Sequence, residues 1–173
     1  MEAFLPFLIA LLATAGMIVV VYLFLKKSGE REIRLLNLEM KKERQDHFLP
    51  SKIEAYQRAI LLLERISPSN LVMRLHNPGL PAKAMQSKFL ESIREEYDHN
   101  VAQQIFITTR AWEMVKDSKE ECIKIINIAG QNLPETATGM DLSGKILELV
   151  AEIGELPTDI AIKYLKDELQ ASF

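Results

Sequence analysis

The residues of this chain that are best suited to chemistry are a Glu-x-x-His pair and a single cysteine. Glu96 and His99 are three positions apart and would share one face of a helix, as the ligands of di-metal carboxylate bundles do. Such sites need a second pair, and neither His47 nor His76 has a Glu three positions before it. Cys122 falls on the apolar side of a predicted helix, where a buried, unreactive thiol is the common outcome. The sequence therefore predicts no catalytic residues, no metal site and no cofactor.

A glycine- and lysine-containing segment is the second candidate for chemistry. The residues from Gly139 to Lys145 match the first seven positions of a phosphate-binding loop. The next position must supply a Ser or Thr for Mg²⁺, and here it is Ile146, with no strand pattern before the loop. We interpret the segment as the start of a helix, capped by Asp141 or Ser143, with Lys145 in solvent.

Two polar patches are the candidates for binding a partner. Uncharged donors and acceptors suit hydrogen-bonded contact with another protein. The alternative is that they cap helices and brace loops inside the domain. The candidate residues are Asn70, Arg74, His76 and Asn77 in a proline-rich loop, and His99, Asn100, Gln103 and Gln104 further along the chain.

The composition excludes several classes of protein. The 173 residues include 21 Lys and Arg against 24 Asp and Glu, so the net charge is −3. A general polyanion binder is strongly basic, so we expect no nucleic-acid partner. One Cys, 7 Gly and 7 Pro also exclude disulfide scaffolds and collagen-like chains.

The segment Ala3–Leu25 predicts a membrane anchor, because it contains no charged residue. As a helix it would be about 35 Å long, enough to cross a hydrocarbon core. A cleaved signal peptide is disfavoured, because no basic residue precedes the segment and the apolar run continues past Ala13-Thr14-Ala15. The residues that follow include Lys26 and Lys27. Segments rich in Lys and Arg that flank a membrane span remain on the cytoplasmic side. We therefore expect a single-pass protein of the inner (cytoplasmic) membrane, with its N-terminus outside and residues 3–25 in the lipid bilayer.

Helical spacing of apolar residues continues after the anchor, and no stretch alternates with period two. Residues 26–50 predict a charged juxtamembrane helix that ends at Leu49-Pro50, with Ser51 capping the next helix. Helices are then expected over 51–66, from Pro81 to about Phe106, from Thr108 or Thr109 to Gly130, over 141–153, and from Pro157 onward, with a loop over 67–81. The predicted fold class is all-α: a transmembrane helix (1–25), an amphipathic linker helix (26–50) and a cytoplasmic helical bundle (51–173).

The same segments predict self-association. Small residues in the anchor allow close helix packing, and a short apolar seam follows with a seven-residue rhythm. We expect a homo-oligomer, most simply a dimer, or a membrane-protein partner, and a monomeric fragment 51–173. The residues concerned are Ala10, Ala13 and Gly16 in the anchor and Ile33, Leu36 and Met40 in the linker.

Several short stretches resemble a family of uncharacterised small bacterial membrane proteins. They are Ile66-Ser67-Pro68-Ser69-Asn70-Leu71, Asn77-Pro78-Gly79, His99-Asn100-Val101-Ala102-Gln103-Gln104 and Ala111-Trp112-Glu113. The resemblance covers the chain from the anchor to about residue 128 and implies one N-terminal span and a helical cytoplasmic region. It implies no activity. We therefore predict a membrane-anchored cytoplasmic protein-interaction or scaffold module; the alternative is an unrecognised metal-dependent or other enzyme using the region around His99.

Overall fold

The computed structural model of this chain describes residues 4–131 and 133–172, with side chains from residue 14 onward except 15, 19, 44 and 45. The elements are α1 (Phe4–Ile66), α2 (Pro68–Leu75), α3 (Ala82–Asn100), a 3₁₀ helix (Val101–Ile105), α4 (Thr109–Gln131), α5 (Gly139–Ile153) and α6 (Pro157–Gln170). The described residues contain no β-strand, only an isolated bridge between Pro81 and Thr138. The predicted all-α class is confirmed.

The chain divides into two compact units, 1–49 and 50–173. In the first unit, nearly every described side chain from Thr14 to Phe48 is exposed. Over the described residues, no helix combines the length and the apolarity that a membrane crossing requires. The predicted anchor lies partly outside the described residues, because it includes Ala3 and the side chains of residues 4–13, among them Ala10 and Ala13.

The second unit is a helical bundle with one core. Helix α4 packs against α3, α5 and α6, and α2 packs against α5. Met85, Phe89 and Ile93 recur every four residues along α3 and are fully buried, so this side of the helix faces the core. The C-terminal part of α1 contributes the fully buried Tyr56 and Leu63. Each helix is therefore held mainly by burial of one apolar face.

The predicted break at Leu49-Pro50 is wrong, because α1 continues through Pro50 and Ser51 is not a cap. A proline removes one helical hydrogen bond, but its fixed φ is compatible with the α conformation. The turns that follow Pro50 bury Ala55, Tyr56 and Ala59 completely. This burial stabilises the helical conformation of the segment and offsets the missing bond.

The predicted loop over 67–81 is wrong for its first half, which forms α2. Pro68 occupies the first turn of this helix, where its missing N–H costs least. Eight residues are too few for a helix that is stable alone. Leu71 and Val72 are buried in the core, so tertiary packing supplies the stability that the sequence pattern did not show.

Two helix ends also differ from the prediction. Helix α3 ends at Asn100 and a 3₁₀ helix follows. Val101 is exposed, so extending the α-helix past Asn100 would gain no stability from burial of this side chain.

Helix α5 is capped by Thr138, not by Asp141 or Ser143. The Thr138 side chain accepts from the Asp141 N–H, and Asp141 accepts from the Thr138 N–H at 2.8 Å. This reciprocal capping box satisfies two helix-end donors.

The start of α5 lies against the loop that leads from α2 to α3. The N–H of Gly139 donates to the Leu80 carbonyl at 2.8 Å, and the N–H of Ala82 donates to the Ala137 carbonyl at 2.9 Å. A Cβ atom on Gly139 would lie 2.8 Å from the Asn77 carbonyl oxygen and 3.1 Å from the Leu80 carbonyl oxygen. Both are backbone atoms, so a side chain here can be accommodated only by moving the loop.

We expect Gly139→Ala to lower the free energy of unfolding by about 1–3 kcal/mol through this overpacking. Gly144→Ala is the matched control on the same helix, because its Cβ would meet nothing within 4 Å. It should be neutral or stabilising by up to about 1 kcal/mol, since alanine favours helix. Denaturant unfolding of both variants checks this; equal effects would contradict the close approach at Gly139.

Candidate functional site

An open groove of about 820 Å³ lies in the second unit and is lined by the C-terminal part of α1, by α2 and by α3. Its charged side chains have both signs. The basic ones are Arg58, Arg65, Arg74 and Lys88, and the acidic ones are Glu91, Glu95 and Glu96. The exposed side chain of Leu61 adds an apolar contact at the same groove. We call this surface the α1–α3 groove.

Glu96 is the centre of the hydrogen bonding in this groove. Its carboxylate accepts from Arg65 Nε at 2.6 Å and lies 3.8 Å from a terminal nitrogen of Arg74. Arg74 also donates to Ser92 Oγ at 3.2 Å, and Asn100 Nδ2 donates to the Glu96 carbonyl at 2.8 Å. One carboxylate thus contacts two guanidinium groups, and two further carboxylates of the groove have no ion-pair partner within 4.0 Å among the described residues, so charges of both signs face the groove.

The structure brings together three of the eight predicted binding residues. Arg74, His99 and Asn100 line the α1–α3 groove. The lining does not include the other five, which are Asn70, His76, Asn77, Gln103 and Gln104. One residue of the first predicted patch and two of the second therefore share the α1–α3 groove, and the remaining residues of both patches lie elsewhere.

The residues of the first patch mainly brace the fold. Asn70 Nδ2 donates to the Glu64 carbonyl at 2.9 Å and Arg74 donates to the Arg65 carbonyl at 3.3 Å. Both acceptors belong to the last turn of α1, whose carbonyls have no helical partner. Asn77 accepts from the Gly79 N–H at 3.0 Å within the loop. These contacts match the bracing interpretation of the patch.

His76 lies against Ser143, a pair that resembles a base and its nucleophile. The ring Nδ1 is 3.1 Å from Ser143 Oγ. The hydroxyl of Ser143, however, donates its one proton to the Gly139 carbonyl at 2.8 Å. This bond to the carbonyl four positions earlier is a common one for a serine inside a helix. The contact with His76 joins the end of α2 to α5.

The other candidates for chemistry are also occupied by structural contacts. Among the described residues, no three His, Cys, Asp or Glu side chains are placed to hold a metal ion. The phosphate-loop match forms the first turns of α5, where Lys145 pairs with Glu148 at 2.7 Å. Burial of Cys122 raises the pKa of its thiol to about 12, so the thiolate that nucleophilic chemistry requires does not form near neutral pH.

A cluster that the sequence did not suggest joins three elements around Glu168. Tyr56 and Thr108 donate to its two carboxylate oxygens at 2.9 and 2.7 Å. Burial and the neighbouring carboxylate raise the pKa of Tyr56 to about 12. No spacing in the sequence could have revealed this cluster, because 112 residues separate Tyr56 from Glu168.

A family model described as a family of unknown function, DUF7935, matches residues 2–172. The chain belongs to this family. The resemblance to an uncharacterised family is therefore confirmed, whereas a membrane location and a bacterial origin stay predictions. No curated protein and no solved structure matches the chain significantly.

Proposed function

We propose that this chain is a membrane-anchored interaction module, whose N-terminal helix is held in a bilayer and whose helical bundle binds a partner protein. The observation that carries the anchor is the exposure of the apolar side chains over residues 17–25. Eight of them are 50–71% exposed. They are Met17, Ile18, Val20, Val21, Tyr22, Leu23, Phe24 and Leu25.

Exposure of this size is costly in water. Full burial of one such side chain is worth about 1.5–3 kcal/mol, so eight of them amount to more than about 10 kcal/mol. That is comparable with the whole stability of a domain. An apolar environment must therefore cover the segment.

A bilayer fits this segment better than a groove on another protein. Eight nearly consecutive residues cover every side of a helix at 3.6 residues per turn. Lipid surrounds a helix on all sides, whereas a protein groove covers one face. The basic residues that begin at Lys26 then favour a cytoplasmic location for the bundle.

Binding of a partner is proposed for the α1–α3 groove. Lys88, Glu91 and Glu95 line it without an ion-pair partner within 4.0 Å among the described residues, so charges of both signs are open to a partner. Charged groups around an exposed leucine are typical of the rim of a protein interface. We propose a partner segment that carries charges of both signs, with an acidic side chain that pairs with Lys88 and a basic one that pairs with Glu95.

Membrane fractionation tests the anchor. We expect the full-length protein to sediment with membranes and to resist extraction by alkaline carbonate. Met17→Lys combined with Ile18→Lys should release it, because each lysine near the centre of a span costs about 2.5–3.5 kcal/mol. Met73→Lys with Ile153→Lys is the control, since both side chains are exposed in the bundle. Release of the wild type by carbonate would refute the anchor.

Affinity purification in mild detergent tests the groove. Lys88→Glu should reduce recovery of the partner at least about tenfold, equivalent to 1.4 kcal/mol. Lys163→Glu makes the same charge change on the exposed surface of α6 and should leave recovery unchanged. Equal losses from both variants would show that net charge, and not the groove, determines recovery.

A further inference from the structure

The open charges of the α1–α3 groove lie on one face of α3. Lys88, Glu91 and Glu95 line the groove and have no ion-pair partner within 4.0 Å in the described part of the chain. Steps of three and four positions separate them, so they share one side of the helix. Glu91 lies one turn before Glu95. This wall of the groove is therefore positive at one end and negative at the other.

The wall formed by α1 offers an apolar contact, and its charges are already paired. Arg58 pairs with Glu54 at 2.9 Å and Arg65 with Glu96 at 2.6 Å. Leu61 lies between the two arginines in the sequence, and its side chain is 57% exposed. Arg58, Leu61 and Arg65 also follow helical spacing, so this wall presents one face of a helix. The groove thus combines an exposed leucine on α1 with open charges on α3.

The backbone around the groove favours a helical occupant. All three lining elements are α-helices, whose N–H and C=O groups bond within each helix. The described residues contain no β-strand, so an extended segment would find no strand edge to complete its backbone hydrogen bonds. A helix satisfies its own backbone and needs only side-chain contacts. Its side chains, spaced three and four positions apart, fit between the ridges that α1 and α3 present.

The distance between the open charges also favours a helix. Lys88 and Glu95 are seven positions apart, which is about 10.5 Å along α3. A second helix spans this distance with seven of its own residues, which bring two side chains back to the same face. An extended segment spans it with about three residues, whose first and last side chains point to opposite faces. Only the helix can therefore direct both of its charges into the groove.

We propose that the occupant of the α1–α3 groove is an amphipathic α-helix of a partner protein, with an acidic and a basic residue seven positions apart and a leucine-sized apolar residue between them. The acidic residue pairs with Lys88, the basic residue pairs with Glu95, and the apolar residue packs against Leu61. This inference rests on the proposed binding of a partner at the groove. It adds the conformation and the residue pattern of the segment that binds.

Binding of designed peptides to the full-length protein in mild detergent tests this pattern. The probe is a fluorescent, alanine-rich peptide with Glu, Leu, Leu and Lys at positions i, i+3, i+4 and i+7, which share one helix face. The matched control has the same composition but carries the Lys at i+5, on a different face. We expect the probe to bind at least about tenfold more tightly than the control, as measured by fluorescence anisotropy. Equal binding of the two peptides, or binding of neither, would overturn the inference.

Charge reversal on both sides tests the pairing itself. Glu95→Lys should weaken binding of the probe at least about tenfold. Replacing the Lys of the probe by Glu should restore binding to this variant, because an acidic side chain then faces the introduced base. Glu113→Lys is the matched control: it makes the same charge change at an exposed position of α4 outside the groove lining, and binding should not change. Loss of binding that the altered probe does not restore would overturn the inference.

Affinity purification separates failure of this inference from failure of the proposed function. A partner that is lost on Lys88→Glu, together with a probe that does not bind, would overturn the helix and leave the groove as a binding site. Recovery of the partner that does not change in Lys88→Glu would refute the proposed function, whether or not the probe binds. Conversion of a dimer to monomers by the probe, seen by light scattering, would assign the groove to a second copy and overturn its assignment to a partner protein.

Discussion

Replacing Phe89 by alanine should lower the free energy of unfolding of the bundle by about 3–5 kcal/mol, the usual cost of removing a buried phenylalanine. Phe89 is fully buried on α3, between Met85 and Ile93 one turn away on either side. Close-packed neighbours relax only partly around a deleted ring, so a cavity adds to the lost transfer free energy. Because domains are typically stable by 5–15 kcal/mol, this variant should be close to unfolding.

Trp112 provides the measurement, because it is the only tryptophan and is 95% buried in the bundle (5% exposed). Denaturant unfolding of the full-length protein in mild detergent is followed by its fluorescence. Met73→Ala is the control: the side chain is 79% exposed, so its truncation should change stability by no more than about 0.5 kcal/mol. Similar losses for both variants would contradict the placement of the core.

The buried apolar face of each long helix could be predicted from sequence, because apolar residues at helical spacing lie on one side of the helix and that side is buried. The spacing of Met85, Phe89 and Ile93 is enough to define the inner face of α3. The errors occur where tertiary packing outweighs a local signal. Pro50 indicated a break, and α2 lies in a proline-rich segment, yet both are helical because neighbouring side chains are buried in the core.

The candidate site was less predictable than the fold. The polar residues of α3 could be recognised as a polar face, but no pattern indicates which helix faces them. Arg65 meets Glu96 across 31 positions, and that contact depends on how α1 packs. The amides attracted attention for their type, yet Asn70 and Asn77 use their hydrogen bonds within the fold. Local composition therefore identified candidate residues but not the surface that they share.

Raising the pH above about 8.5 should destabilise the bundle, chiefly through Cys122. Burial raises the pKa of this thiol from its ordinary value of 9.0 to about 12. Below pH 8.5 the thiol is protonated in both states, so stability does not depend on it. Above that pH the unfolded thiol ionises and the buried one does not, so unfolding releases a proton and stability falls. By pH 11 the loss should be about 2–3 kcal/mol.

Cys122→Ala isolates this contribution, because it removes the ionising group. The variant loses some packing at pH 7, but its stability should fall less steeply between pH 8.5 and 11 than that of the wild type. Tyr56, whose pKa is also raised to about 12, stays in both proteins and should add an equal loss to each above pH 10. The measurement is the free energy of unfolding against pH, followed by Trp112 fluorescence. Parallel curves for the two proteins would show that the unfolded and folded thiols titrate alike, which is incompatible with a buried Cys122.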